Sequence, residues 1–354
     1  MAKLKSWQDR LKDNDFPQPA PWKSPEECQA AYESGFPGAY LDEENWASIP
    51  PADSILDGFG ADASSGEGEL VLLFPELYKA SGRDEWWEGQ PSQAVGDCVS
   101  HSTRNALMLS LACQITRGKG SESWPDNIPD YAYKSMSCFS PVPLYNTRSN
   151  QPGHGWSCPT SVKNSESIVA LVPACDYTNT PGVNRDYSKY SGKQTTEFGK
   201  KGPPPEYFKA LNGHLCQGSA KASGKSDLMK FMKQGFSLST CGSEGWSSSR
   251  DKYGEASRKG SWSHALAYCG FDDTKWAHEH FGETAILISN SWGPGACKGP
   301  REIHGDPSMG LIPKNTWWTP YSKCKSRHCT AITAVAGWPP AKLPNWAERM
   351  EGLI

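Results

Sequence analysis

The order of its segments constrains this chain most: helix-forming pieces fill the first half and strand-forming pieces the second. From Cys98 to Arg117 the sequence carries no proline or glycine and sets Val99, Ala106, Leu107 and Leu111 on or near one helical face. A buried helix from Cys98 to about Ile115 is predicted, with further helices over 130–137 and 161–172 and a short one at SDLMKFMKQG. Strands are then predicted over 236–241, 263–271, 284–292 and 310–313, where β-branched and aromatic residues cluster between turn residues. Helices followed by antiparallel strands imply an α+β fold with two segregated halves.

At 354 residues the chain can bury roughly three quarters of its unfolded surface. Its 15 Trp, 13 Tyr and 11 Phe stay in water only by packing away, so the chain is expected to be globular. The 36 Lys+Arg and 39 Asp+Glu leave a net charge of −3, which supplies no positive field for a phosphate backbone. No nucleic-acid partner is expected. No apolar run reaches the roughly 18 residues that cross a bilayer, and the opening MAKLKSWQDRLKDNDFPQPAPWK lacks a secretory apolar stretch. A cytoplasmic location with no membrane partner follows as the expectation. Most of the 12 Cys are accordingly expected as buried, reduced thiols.

Residues 1–85 carry Pro17, Pro19, Pro21, Pro25, Pro37, Pro50 and Pro51 and an acidic Gly/Ser stretch at 57–69, as an irregular arm would. Within it, Ser24, Pro25 and Glu27 form a helix-start pattern. Residues 176–225, rich in Tyr, Lys, Gly and Pro, are expected as a surface excursion with a solvated basic face.

A thiol attacks carbonyl carbon as its thiolate, so the candidate nucleophile is the cysteine whose surroundings favour the anion. Cys98 opens the long helix directly after Gly96-Asp97, where unpaired N–H groups and the helix dipole favour negative charge. The same position also suits a merely packed cysteine. The thiol needs an imidazole as its base and a polar group to hold that ring in one tautomer. His264 starts one predicted strand and Asn290 ends another, so pairing of the two strands brings them together. His101, three residues after Cys98, is the local rival, with no orienting partner evident in sequence.

Together these residues resemble the papain-like cysteine peptidases. The resemblance rests on Gly96-Asp97-Cys98 opening a helix, His264-Ala265 with Gly270 six residues after the His, and Ile288-Ser289-Asn290-Ser291-Trp292-Gly293. Gly153-His154-Gly155-Trp156 is similar to the family's glycine-bearing substrate loop. The resemblance spans about 86–320. It implies a two-lobed α+β fold, with a helical lobe carrying the nucleophile and an antiparallel β lobe. It divides the chain into an arm or pro-/docking segment at 1–85, a peptidase domain at 86–320 and a C-terminal tail at 321–354.

Carried over by position, it implies Cys98 as nucleophile, His264 as general base and then acid, and Asn290 as the acceptor that orients the ring. Trp292 is implied to shield the His–Asn hydrogen bond, and Gly153, Gly155 and Trp156 to bind substrate. The family's oxyanion Gln lies six residues before the nucleophile, where this chain has Ser92. Gln93 is assigned that role on the assumption of a one-residue deletion, with Gln90 the alternative. Val95 and Val99 stand where the family has a disulfide-forming Cys and a Trp.

The activity implied is amide hydrolysis through an acyl-thioester on a polypeptide substrate, without cofactor. The alternative is a structural or assembly protein on the same fold, such as a phage or other particle component, docked through its arm. The Trp-rich ends (Trp7, Trp22, Trp46, Trp338, Trp346) could anchor a partner or pack on their own domain. No metal is expected, because Cys324, His328 and Cys329 lack a second close Cys pair. An ordinary thiol pair or a local disulfide is expected there.

Overall fold

The computed structural model describes most of the chain between Ser24 and Ala347. Residues 1–23, 35–37, 41, 58–66, 84–91, 119–122, 131, 133–137, 149–154, 199–201, 212, 325–327, 335–342, 344 and 348–354 lie outside the described residues. The fold is α+β, built around the helix Cys98–Thr116 and an antiparallel sheet.

That helix is buried from Cys98 through Gln114, although many of its residues are polar. A helix buried all round must satisfy most such side chains internally, and several of them are satisfied on its two flanks. The Ser102 hydroxyl donates to the Leu266 carbonyl of the sheet. Thr103 accepts from Ser161 of the neighbouring helix at 2.9 Å, and Arg104 Nη1 donates to the Phe139 carbonyl at 2.9 Å. The central helix therefore sits between the other helices and the sheet as a shared wall.

The sheet has seven strands, in the order Thr316–Pro320, Ala285–Ser289, Ala256–Asp272, Leu238–Arg250, His328–Thr333 and Gly218–Ala222, with Leu70–Leu72 pairing on the far end of Ala256–Asp272. Every pairing is antiparallel. The two longest strands, of 13 and 17 residues, pair with repeated register shifts. Such bulges bend a strand and raise its twist, which curls the sheet.

Local signals set many element ends. Ser24 Oγ accepts from the Glu27 N–H at 3.2 Å and caps the helix Pro25–Glu33. The helix predicted over 161–172 runs instead over Cys158–Ser167, because Ser157 caps it early and Val172–Pro173 pairs with Phe139–Ser140 as a strand. Residues 310–313 form only a single bridge, Leu311 to Glu302, rather than a strand. Most of the helix predicted over 130–137 lies outside the described residues.

Within the segment expected as an arm, Leu70–Leu72 and the helix Phe74–Ser81 join the main core, and in the expected tail His328–Thr333 is an interior strand. The excursion 176–225 is not simply solvated: Val183, Tyr187, Tyr207 and Leu211 bury a second hydrophobic cluster with Val142, Val169 and Val172. Its tyrosines outweigh its lysines because rings of that size gain more from burial than the short turns around them lose.

Ten cysteines are free and buried, Cys324 and Cys329 among them. One pair departs from the expectation of reduced thiols: Cys158 and Cys241 form a disulfide, their Cα atoms 6.1 Å apart, joining a helix to the sheet across 83 residues. Trp46 stacks on His328 at 4.4 Å, and Trp346 packs against the main core, so both pack on this chain itself. Among the described residues, no helix is long and apolar enough to cross a membrane.

Candidate active site

Strand pairing assembles the site. Ala267 faces Ser289 across two neighbouring strands, so His264, three residues earlier, comes level with the chain just beyond Ser289. Asn290 stands there, and its Oδ1 lies 2.8 Å from His264 Nε2. The same oxygen accepts the Ser291 N–H at 2.7 Å, which fixes it as the acceptor and makes Nε2 the protonated ring nitrogen. Nδ1 is then the basic nitrogen. Asn290 is itself held at both backbone groups by Asn315, whose carbonyl takes its N–H at 3.1 Å and whose amide donates to its carbonyl at 2.6 Å.

Cys98, at the first turn of the central helix, reaches the same place. The backbone N–H of Ala265, the residue after His264, hydrogen-bonds the Cys98 sulfur. Cys98, His264 and Asn290 are thus brought together from three distant parts of the chain, all fully or almost fully buried. Trp292 lies tilted 4.7 Å from the His264 ring and Trp262 packs behind it at 4.6 Å, walling the His–Asn bond from water.

Gln93 is pinned to this wall. Its N–H donates to the Ser291 carbonyl at 2.8 Å, and Ser92 bridges Trp292. The Ser291 hydroxyl donates to Gln93 Oε1. With its oxygen held from behind, the amide turns Nε2 forward, where it donates to the Val95 carbonyl at 2.9 Å and to the Tyr32 hydroxyl at 3.1 Å. Gln90 lies outside the described residues.

Tyr32 is the residue that sequence reasoning missed. It projects from the helix Pro25–Glu33, is fully buried, and donates its hydroxyl to the Cys98 sulfur. Its ring lies 4.7 Å from His264 and 5.2 Å from Trp292. Gly38 donates to the Ser263 carbonyl at 3.0 Å, and its own carbonyl accepts the Trp156 N–H at 3.1 Å. Ala39–Tyr40 then pairs in parallel with Trp156–Ser157.

Gly38 cannot carry a side chain there, since a Cβ would fall 2.2 Å from the Tyr32 hydroxyl. The sequence signal available was the spacing of Cys28 and Tyr32, four residues apart on one face of a capped helix; both are wholly buried.

Burial dominates the charge state of Cys98. Burial pushes the Cys98 thiol up to about 12, and the Asp97 carboxylate pushes the same way. Hydrogen bonds from Tyr32 and from the Ala265 and Val99 backbones offset only part of this. The sulfur is therefore a thiol at neutral pH.

Trp156 meets the extended segment through its backbone, and Gly155 meets the turn before Cys98. The Trp156 ring is buried edge-on to Tyr145 at 6.2 Å, and the Gly155 N–H donates to the Gly96 carbonyl at 2.9 Å. Gly155 holds a φ of 87°, a left-handed conformation suited to glycine. Gly153 lies outside the described residues. His101 does have partners: Asp97 Oδ2 lies 3.5 Å from its Nε2 and Arg104 Nη2 lies 3.3 Å from its Nδ1. Burial lowers its pKa, so it sits neutral between an acid and a guanidinium inside the central helix.

No family model matches the chain, and no curated protein sequence matches it. Solved structures do. ProCathepsin B S9 from Trypanosoma congolense superposes with a TM-score of 0.52 at 11% identity, over 94% of this chain and 98% of that one. Digestive procathepsin L2 proteinase from Tenebrio molitor larval midgut superposes with a TM-score of 0.51 at 10% identity, over 93% of this chain and 87% of that one. At these identities the likeness defines the fold, which is that of the papain-like cysteine proteases.

Proposed function

We propose that the chain is a papain-like cysteine peptidase held latent by its own N-terminal arm. One observation carries this: the Tyr32 hydroxyl accepts from Gln93 Nε2 at 3.1 Å and stands near enough to the Cys98 sulfur to favour its anion by hydrogen bonding. A scissile carbonyl must occupy that same point, with its carbon facing the sulfur and its oxygen facing the amide. The arm fills the reaction site with a hydroxyl that has no acyl group to transfer. Both neighbours named above are procathepsins, which suits a chain carrying such a cover.

With the arm displaced, His264 Nδ1 takes the thiol proton and the Cys98 thiolate attacks the carbonyl carbon of a polypeptide. The oxyanion forms opposite Gln93 Nε2, where one donor is typically worth about 3 kcal/mol in the transition state. Collapse expels the amine with a proton from His264 and leaves an acyl-thioester. Water, deprotonated by His264, then releases the acid. Asn290 holds the ring through both transfers.

The test is hydrolysis of a peptide library by wild type, Tyr32→Ala and Cys98→Ser. Tyr32→Ala is expected to cleave at least about tenfold faster than wild type and Cys98→Ser not at all. Hydrolysis that survives Cys98→Ser overturns the assignment.

A further inference from the structure

The turn from Gln93 to Cys98 carries both the oxyanion donor and the nucleophile, so its shape sets their separation. No covalent tie crosses it, since Val95 stands three residues before the sulfur. A hydroxyl from far along the chain does. Tyr190 Oη accepts the Ala94 N–H at 2.9 Å and donates to Asp97 Oδ2 at 3.0 Å. A single oxygen thereby bridges the first and last residues between Gln93 and Cys98. Burial and the nearby Asp97 charge raise the pKa of this phenol well above its ordinary value, so it stays protonated and can donate.

The segment that follows presses on the same turn. Gly192 approaches so closely that a Cβ would stand 2.9 Å from Ala94 Cβ and 3.2 Å from Val95 Cγ1. The ring of Tyr190 meets His101 edge-on at 5.1 Å, and the 176–225 excursion behind it is anchored by its own hydrophobic cluster.

We propose that Tyr190 is a positioning residue for the reaction: through Ala94 and Asp97 it fixes the distance and angle between Gln93 Nε2 and the Cys98 sulfur, with Gly192 setting how close the supporting segment comes. This rests on the peptidase reading for its chemistry and gives the 176–225 excursion a task in catalysis. Tyr190 touches no reacting atom. Its hydroxyl also neutralises part of the Asp97 charge one residue from the sulfur, so its loss disfavours the thiolate.

The test uses the full chain in a Tyr32→Ala background, with Tyr190→Phe and Gly192→Ala added separately and Cys98→Ser as control. Two readouts are taken: kcat and KM on peptide, and the pH dependence of Cys98 alkylation by iodoacetamide, which needs no turnover. Tyr190→Phe keeps the ring, so the melting temperature should hold within a few degrees.

Tyr190→Phe is expected to lower kcat at least about tenfold with KM within about twofold, and to move the alkylation midpoint to higher pH. Gly192→Ala should lower kcat in the same way. An unchanged kcat and an unchanged alkylation midpoint in Tyr190→Phe overturn the proposal. If peptide hydrolysis persists in Cys98→Ser, the peptidase reading is what fails, and the alkylation profile still decides whether Tyr190 sets the state of the sulfur.

Discussion

Two tyrosines meet the same short turn from opposite sides. Tyr32, in front, donates to the Cys98 sulfur from a nine-residue helix near the start of the chain. Tyr190, behind, spans Ala94 and Asp97 from a segment with its own hydrophobic cluster. On the proposed reading the front hydroxyl blocks the place where chemistry occurs, and the back hydroxyl shapes that place without entering it. The same side chain would then serve as a cover and as a brace, and the difference lies in what anchors each.

The histidines divide in the same manner. His264 has one ring nitrogen tied to Asn290, as the proposed base requires, while His101 is closed in between Asp97 and Arg104. Reading the Cys98-x-x-His101 spacing alone cannot separate them, because a histidine one turn along a helix has the right proximity and the wrong surroundings.

The sharpest way to break this contrast is to remove groups on the front face. Cys98→Ser should lower peptide hydrolysis by at least about 10³-fold at unchanged melting temperature; steady-state rates check it. Gln93→Ala should cost about 10²-fold in kcat, as loss of one oxyanion donor does, and a smaller loss would mean that the amide faces Tyr32 for latency alone. Asn290→Ala should lower kcat about tenfold or more with folding intact, and an unchanged rate would show another group holding the ring.

A milder test addresses the frame that both faces share. Replacing Cys158 and Cys241 by Ser removes a crosslink closing an 83-residue separation, for which loop entropy gives about 4 kcal/mol. Denaturant unfolding should show a loss of that order, and a loss under about 1 kcal/mol would mean that packing alone sets the helix-to-sheet distance.

Much of the frame was legible in the sequence. The predicted helix from Cys98 to about Ile115 is found at Cys98–Thr116, since nothing interrupts it and several of its polar residues find partners on its two flanks. The strand predicted over 263–271 lies inside Ala256–Asp272, and the one predicted over 284–292 contains Ala285–Ser289 but overruns it at both ends, because apolar β-prone residues read alike in sequence and in a curled sheet. The juxtaposition of His264 and Asn290 followed from that pairing.

The two tyrosines did not follow. Neither belongs to a periodic pattern that names a target, and each acquires its role from distant partners: Cys98 lies 66 positions from Tyr32, and Ala94 and Asp97 lie 96 and 93 positions from Tyr190. The early start of the helix Cys158–Ser167 is likewise a cap effect at Ser157, whose importance depends on where the preceding strand ends.

The most direct test of the central claim is the rate of Cys98 alkylation near pH 6, followed by peptide mapping, in wild type, Tyr32→Ala and Tyr32→Ala/His264→Ala. The account predicts slow labelling in wild type, fast and selective labelling of Cys98 once Tyr32 is gone, and loss of that speed when His264 is also removed. Equal labelling rates in all three, with Cys98 no faster than the other buried thiols, would contradict it.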